Sequence, residues 1–346
     1  MASEREIFGL TGPSYLTTID WNNSHHRKSI AASLVRGAYV LERDRQQNRL
    51  GPQALAPPWW ESFNFVLNQV LVDEDEHTIF GAIYEFKFQY PNPKYAGGSY
   101  PPKYVIAFRG TINKSGNRSQ DFKLNLQCII NNLQNSSRFR LGMEATRNIV
   151  YKAGQGNIWL AGHSLGSSIA LIIGRNMAKT GIHMETYLFN PPFISPPIEQ
   201  IKNEKLKLGV RFANSVLTAG LAVAVNDGHK PKPAQDDPFI VLSSWVPYLF
   251  LNPSDPICSE YMGYFEHREY MEEIGYGKIG RLATQHSIGS IVSTTLGKDS
   301  EPMHLIPSAY LTTNLGPSKN FKEAHGIHQW WKPDLQCKYK LHQFKH

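Results

Sequence analysis

The chain has 346 residues, 41% of them hydrophobic and 12% aromatic, and a formal net charge of +7. That apolar content supports a substantial core and excludes a disordered chain. The mild positive charge reads as solvated surface, and no Arg/Lys block with interleaved aromatics points to a nucleic-acid partner.

Residues 1–60 are polar and irregular apart from one helix over Ile30–Arg45, whose apolar residues Ile30, Leu34, Ala38 and Leu41 recur every three or four positions. A second helix is expected over Trp60–Val70, completing a helical N-terminal extension over 1–75. Thr78–Gln89 alternates as a strand, and Pro91–Pro102 is a Pro/Gly/Tyr loop. Tyr104–Phe108 is a short apolar run of the kind found in buried parallel strands, and it opens the core sheet. Helices follow over Gln120–Leu133 and Leu141–Ala153, then a strand at Asn157–Ala161 and a helix over Ser167–Lys179. Further strands are expected at Glu185–Asn190 and Trp245–Leu251. This alternation predicts the α/β class, with a mostly parallel sheet covered by helices on both faces. The core is read as 76–195 and 241–335 of a single domain, with 196–240 inserted as a cap or lid.

Three cysteines, Cys128, Cys258 and Cys337, are odd in number and far apart, which fits a reducing compartment. Met1-Ala2-Ser3-Glu4-Arg5-Glu6 leads into no apolar stretch, so a cytoplasmic location without a secretory signal is expected. The longest apolar run, Val216–Val225, falls short of the ~20 residues that span a bilayer.

The chemistry concentrates at Gly162-His163-Ser164-Leu165-Gly166. A serine hydroxyl is a weak nucleophile that needs an adjacent base and an exposed Oγ. A sharp strand-to-helix turn exposes it, provided the residues two positions either side carry almost no side chain. Gly162 and Gly166 meet that demand, with a predicted strand before and a helix after. The N–H of Leu165 at the helix start can stabilise an oxyanion. Phe108-Arg109-Gly110-Thr111, ending the Tyr104–Phe108 strand, can offer a second N–H from Thr111.

These segments, together with Asp121-Phe122 and Asn125-Leu126, resemble the class 3 lipases, specifically their intracellular plant branch, over roughly residues 75–335. Some members of that group carry a GDSL esterase/lipase label, although no Gly-Asp-Ser-Leu occurs here. The resemblance implies an α/β-hydrolase fold, a Ser–Asp–His triad and activity on acyl esters of lipids.

In that fold the acid follows a strand after the nucleophile, and the base comes last. Asp255, in Asn252-Pro253-Ser254-Asp255-Pro256-Ile257, is the expected acid, ahead of Asp236 and Asp237. Ala324-His325-Gly326-Ile327-His328-Gln329-Trp330-Trp331 offers two bases. His325 is favoured by its glycine and by the plant-type spacing to Ile327 and Trp330. His328 has the shorter fungal-like spacing to Trp331. His286 and His304 are weaker candidates, His163 is expected to pack under the turn, and His25-His26 reads as a solvated pair. His325 and His328 lack the Glu and Cys neighbours of zinc motifs, so neither metal nor cofactor is expected. The expected partner is a lipid or small acyl ester, with peripheral contact at a membrane or lipid-droplet surface. The alternative is a catalytically silent lipase-like binding or signalling protein.

Overall fold

The computed structural model describes residues 13, 15–55, 59–88, 100–112, 126, 129, 130, 132–193, 198, 203–226, 237–285 and 305–344. Within them, eight strands form one sheet in sequence order: β1 Phe65–Val72, β2 Ile79–Phe86, β3 Tyr104–Phe108, β4 Ile158–His163, β5 Glu185–Phe189, β6 Tyr248–Leu251, β7 Ala309–Asn314 and β8 Cys337–His342. Strands β3 to β7 are parallel, while β1, β2 and β8 extend the sheet antiparallel at its two edges. The protein is therefore mixed α/β with a mostly parallel sheet.

The helices are α1 Ser24–Gln46, α2 Trp59–Ser62, α3 Ser137–Ala153, α4 Leu165–Lys179, α5 Glu204–Asn226, α6 Pro238–Leu242, α7 Glu260–Glu273, α8 Gly277–Gln285 and α9 Phe321–His325. Every residue of β3 and β4 is buried, as expected of strands covered on both faces. Side chains alternate across the sheet. Val105, Ala107, Trp159 and Ala161 pack into one cluster with Ile30, Leu34 and Ala38 of α1. Ile106, Phe108 and Leu160 point the other way, into a second cluster with α3, α4, α6 and α7.

Two expectations are corrected here. Trp60–Val70 is not a helix: only Trp59–Ser62 is helical, and Phe65–Val72 is strand β1. Register shifts between Leu67 and Gln69 and between Leu71 and Val72 break its period-two pattern, which hides the strand. The first 75 residues are accordingly no purely helical extension, because they supply both an edge strand and the helix covering one sheet face. Glu42 of α1 accepts from the Ile79 N–H at 2.8 Å, and Arg27 pairs with Glu185 on β5. His25-His26 is not a free solvated pair either. Asn23 caps the two backbone N–H groups, and His25 Nε2 lies 2.9 Å from the Tyr15 hydroxyl. Partial burial, aided by Lys28, holds the His25 pKa down to about 4.

The predicted strand at 104–108 is present with the expected ends, those at 157–161 and 185–190 and the helices over 141–153 and 167–179 are present with shifted ends, and the Trp245–Leu251 strand shortens to β6. Most of the expected Gln120–Leu133 helix lies outside the described residues. Within the 196–240 insertion, α5 packs against α7 and α8. Arg211 pairs with the buried Glu260 at 2.8 Å, and Ser215 Oγ lies 2.9 Å from His267 Nε2. Among the described residues, no helix is long and apolar enough to cross a membrane.

Candidate active site

Ser164 occupies the single residue between β4 and α4, with φ 54° and ψ −126°. A non-glycine residue in that region is strained by about 1–3 kcal/mol and persists only where its surroundings hold it. The surroundings here are specific. The Ser164 N–H donates to Phe189 O at 3.0 Å, and its carbonyl accepts from Ser167 N at 2.9 Å and Ser167 Oγ at 2.5 Å.

The glycine requirement is steric. A Cβ on Gly162 would lie 2.2 Å from Gly166 O, and one on Gly166 would lie 2.3 Å from Phe108 O. Both obstacles are backbone, so neither can step aside. Gly162→Ala is expected to cost about 3 kcal/mol, read as a lowered urea midpoint at unchanged m-value. A midpoint within error of wild type would show that the turn relaxes freely.

Asp255 follows β6 in a turn closed by its own N–H to Asn252 O at 3.0 Å. It is fully buried, and its carboxylate collects several donors. Oδ1 accepts from the Ile257 N–H at 3.0 Å. Oδ2 accepts from His325 Nδ1 at 2.8 Å, Asn190 Nδ2 at 2.7 Å and the Cys258 thiol at 3.3 Å. Burial and the neighbouring Asp255 push the Cys258 thiol pKa well up, so it stays a protonated donor.

His325 ends α9 and stacks on Phe321, with ring centroids 5.2 Å apart. It also stands beside the serine turn: its carbonyl accepts from His163 Nε2 at 2.7 Å, and the two rings are 5.0 Å apart. Of the two expected bases, His325 is thus the one bonded to Asp255. His328 sits in a 3-10 turn over Ile327–Trp331, its pKa lowered first by burial and then by Lys332 and Arg36.

The oxyanion candidates are also placed. Leu165 is buried at the N-terminus of α4. A Cβ on Gly110 would fall 2.8 Å from Ser164 Cβ, so the segment carrying Thr111 runs against Ser164. Arg109 braces that segment by donating to Ile79 O at 2.5 Å and Gly110 O at 2.7 Å. Asp237 caps α6 through the Phe239 N–H instead of joining the site. Asp121, Phe122, Asn125, Asp236, His286 and His304 lie outside the described residues.

Sequence reasoning misses the polar scaffold behind Asp255 and His325. Asn190, at φ 46° just past β5, donates to Asp255 Oδ2 and to Ala324 O at 3.0 Å, and accepts from Trp330 Nε1 at 2.8 Å. Gln329 Oε1 accepts from Asn252 and Asn314, each at 2.8 Å, while its Nε2 donates to Ala324 O at 2.7 Å. Amides at the ends of β5, β6 and β7 thereby fasten the histidine loop to the sheet. The only sequence signal is an asparagine followed by proline directly after a strand, at Asn190 and again at Asn252. Among the described residues, no group of three or more His, Cys, Asp or Glu side chains is arranged to hold a metal ion.

Fold and site together define a mixed α/β protein with a strand–turn–helix serine beside a buried histidine–aspartate pair. A curated relative from Arabidopsis thaliana, described as a GDSL esterase/lipase, is 50% identical over 353 residues, covering 100% of both chains. The chain belongs to the esterase/lipase family of that relative. Among solved structures, an esterase of Pyrobaculum calidifontis in a monoclinic form aligns with 85% of this chain and 99% of its own, at 14% identity and a TM-score of 0.24. No family model matches the chain.

Proposed function

We propose that this chain is a serine hydrolase of the α/β-hydrolase fold, of the class 3 lipase kind, that cleaves carboxylic esters of lipids. The observation that carries this reading is the strained Ser164 between β4 and α4, with the bonded His325–Asp255 pair beside it. The order Ser164, Asp255, His325 along the chain is that of the α/β-hydrolases, and the relative's description as an esterase/lipase supports the reaction class.

In this mechanism His325 Nε2 takes the Ser164 proton as Oγ attacks the ester carbonyl carbon. Asp255 holds Nδ1–H, which fixes the tautomer and stabilises the imidazolium. The N–H groups of Leu165 and Thr111 receive the oxyanion, each worth about 3 kcal/mol of barrier. His325 then protonates the departing alcohol, and water, activated by the same base, releases the acid from Ser164.

The exposed apolar residues Leu206, Leu208 and Leu217 on α5 suit contact with a lipid surface and a lid role for the insertion. Unbridged Cys258 and Cys337 suit a reducing cytoplasm.

The base is tested by paired variants assayed on p-nitrophenyl esters. His325→Ala is expected to lower kcat by at least about 10⁴-fold, and His328→Ala to change it less than about threefold. The opposite pattern would move the base to His328. Background rates indistinguishable between wild type and Ser164→Ala would leave a silent lipase-like binding protein.

A further inference from the structure

We infer that Tyr39, on the N-terminal helix, is a positioning residue for ester hydrolysis, acting directly on the oxyanion segment and through His163 on the base. The inference rests on the serine-hydrolase reading above.

The observations form a continuous chain. The Gly110 N–H donates to Tyr39 Oη at 2.7 Å. Tyr39 Oη lies 2.8 Å from His163 Nδ1. His163 Nε2 lies 2.7 Å from the His325 carbonyl oxygen. The proton positions follow from what each end can do. A carbonyl only accepts, so Nε2 of His163 carries the proton and donates. Nδ1 of a neutral imidazole then accepts, so the Tyr39 O–H donates to it. The Tyr39 oxygen is left to accept from Gly110, which only donates. One arrangement satisfies all four groups.

Its chemistry is stable at neutral pH. Tyr39 is buried, which raises its pKa to about 12 and keeps it a donor. Burial first, then His325 nearby, lowers the His163 pKa well below the usual imidazole range and keeps the ring neutral.

What the chain joins decides its role. Gly110 precedes Thr111, whose N–H is assigned to the oxyanion. His163 precedes Ser164. The carbonyl at the far end belongs to His325 itself. A Cβ on Gly110 would meet Tyr39 Oη at 2.5 Å and Ser164 Cβ at 2.8 Å, so the three segments are in close contact. Tyr39 thus sets the spacing between nucleophile, oxyanion donor and base. In the proposed reaction the nucleophile, oxyanion donor and base act in the transition state, so misplacing them lowers kcat and leaves KM largely unchanged.

The test compares Tyr39→Phe, His163→Gln, their double variant and Tyr84→Phe in the full chain. Tyr84 is another buried tyrosine in the same cluster, and its hydroxyl has no partner among the described residues. Tyr84→Phe is expected to keep wild-type kcat. Tyr39→Phe is expected to lower kcat on a p-nitrophenyl ester about 10- to 100-fold, with KM within about twofold. The rate of Ser164 labelling by a fluorophosphonate should fall in parallel. Because the two residues act in series, the double variant should be no worse than about threefold below the poorer single one. Tyr39→Phe with a lowered Tm but a kcat within about twofold of wild type would overturn the inference and leave a structural hydrogen bond. Multiplicative losses in the double variant would also overturn it. If Tyr39→Phe does not fold, the kcat and labelling rate of His163→Gln decide between the same two outcomes. A wild-type protein that neither turns over nor labels at Ser164 would sink the hydrolase reading first, and this inference with it.

Discussion

Ser164→Ala is expected to lower kcat for ester hydrolysis by about 10⁶-fold while the protein stays folded. Removing the nucleophile leaves only the weak catalysis of the oxyanion donors and of binding, so a residual rate of about 10³-fold over water should persist. The folded state should not suffer. Ser164 Oγ has no hydrogen-bond partner among the described residues, and a buried unsatisfied hydroxyl costs stability. Alanine removes that cost, and Ser164→Gly also removes the strain of φ 54°. Ser164→Gly should therefore be inactive yet more stable than wild type by about 1 kcal/mol. Activity on p-nitrophenyl esters and urea midpoints check both halves. Retention of more than a few percent of kcat in Ser164→Ala would place the nucleophile elsewhere.

Asp255→Asn is expected to lower kcat by about 10⁴-fold, through the wrong histidine tautomer and not through unfolding. The carboxylate serves as acceptor on both oxygens: Oδ2 to His325, Asn190 and Cys258, and Oδ1 to the Ile257 N–H. An amide offers only one acceptor oxygen. If its NH₂ replaces Oδ2, it meets three donors, and His325 can pair with it only by moving its proton to Nε2. That nitrogen can then no longer take the serine proton. If the amide turns over, its NH₂ faces the Ile257 N–H instead. Either orientation leaves a buried donor unpaired, adding about 1–3 kcal/mol of destabilisation. The kcat loss should therefore exceed anything the fall in folded fraction explains. Activity per folded molecule within about tenfold of wild type would show that Asp255 only shapes the turn.

The parts of this molecule legible in its sequence are those where local chemistry permits one solution. Gly162 and Gly166 are readable because only glycine fits against backbone at 2.2 and 2.3 Å. Strands β3 to β5 are readable because burial on both faces makes them short, continuous apolar runs. Strand β1 reads as helix because bulges break its alternation. Strand β8 goes unread because its two lysines mask the alternation of Cys337, Tyr339 and Leu341 with Lys338, Lys340 and His342, and its central residues stay exposed. Helix α7 escapes it because Glu260, His267 and Arg268 are buried beside its apolar residues, which blurs the helical stripe. At the site, residue type and chain order point to Ser164, Asp255 and a histidine in 325–328. Spacing alone leaves His325 and His328 both open. What separates them in space, the bond to Asp255 and the amide scaffold of Asn190 and Gln329, depends on contacts between distant segments. No local pattern encodes those contacts, nor the link from Tyr39 to His163.

The long-range closure of the site also imposes an order of events in time. His325 follows His163 by 162 residues and Asp255 by 70. At about 5–20 residues per second, a ribosome needs roughly 10–30 s between making the serine turn and making His325. Throughout that interval the growing chain holds the Ser164 hydroxyl without the histidine proposed to deprotonate it. Under the proposed mechanism, reactivity switches on only when the chain beyond β6 has folded and brought His325 to Asp255. A nascent chain released early, or one that misfolds at this end, carries the serine but no working site.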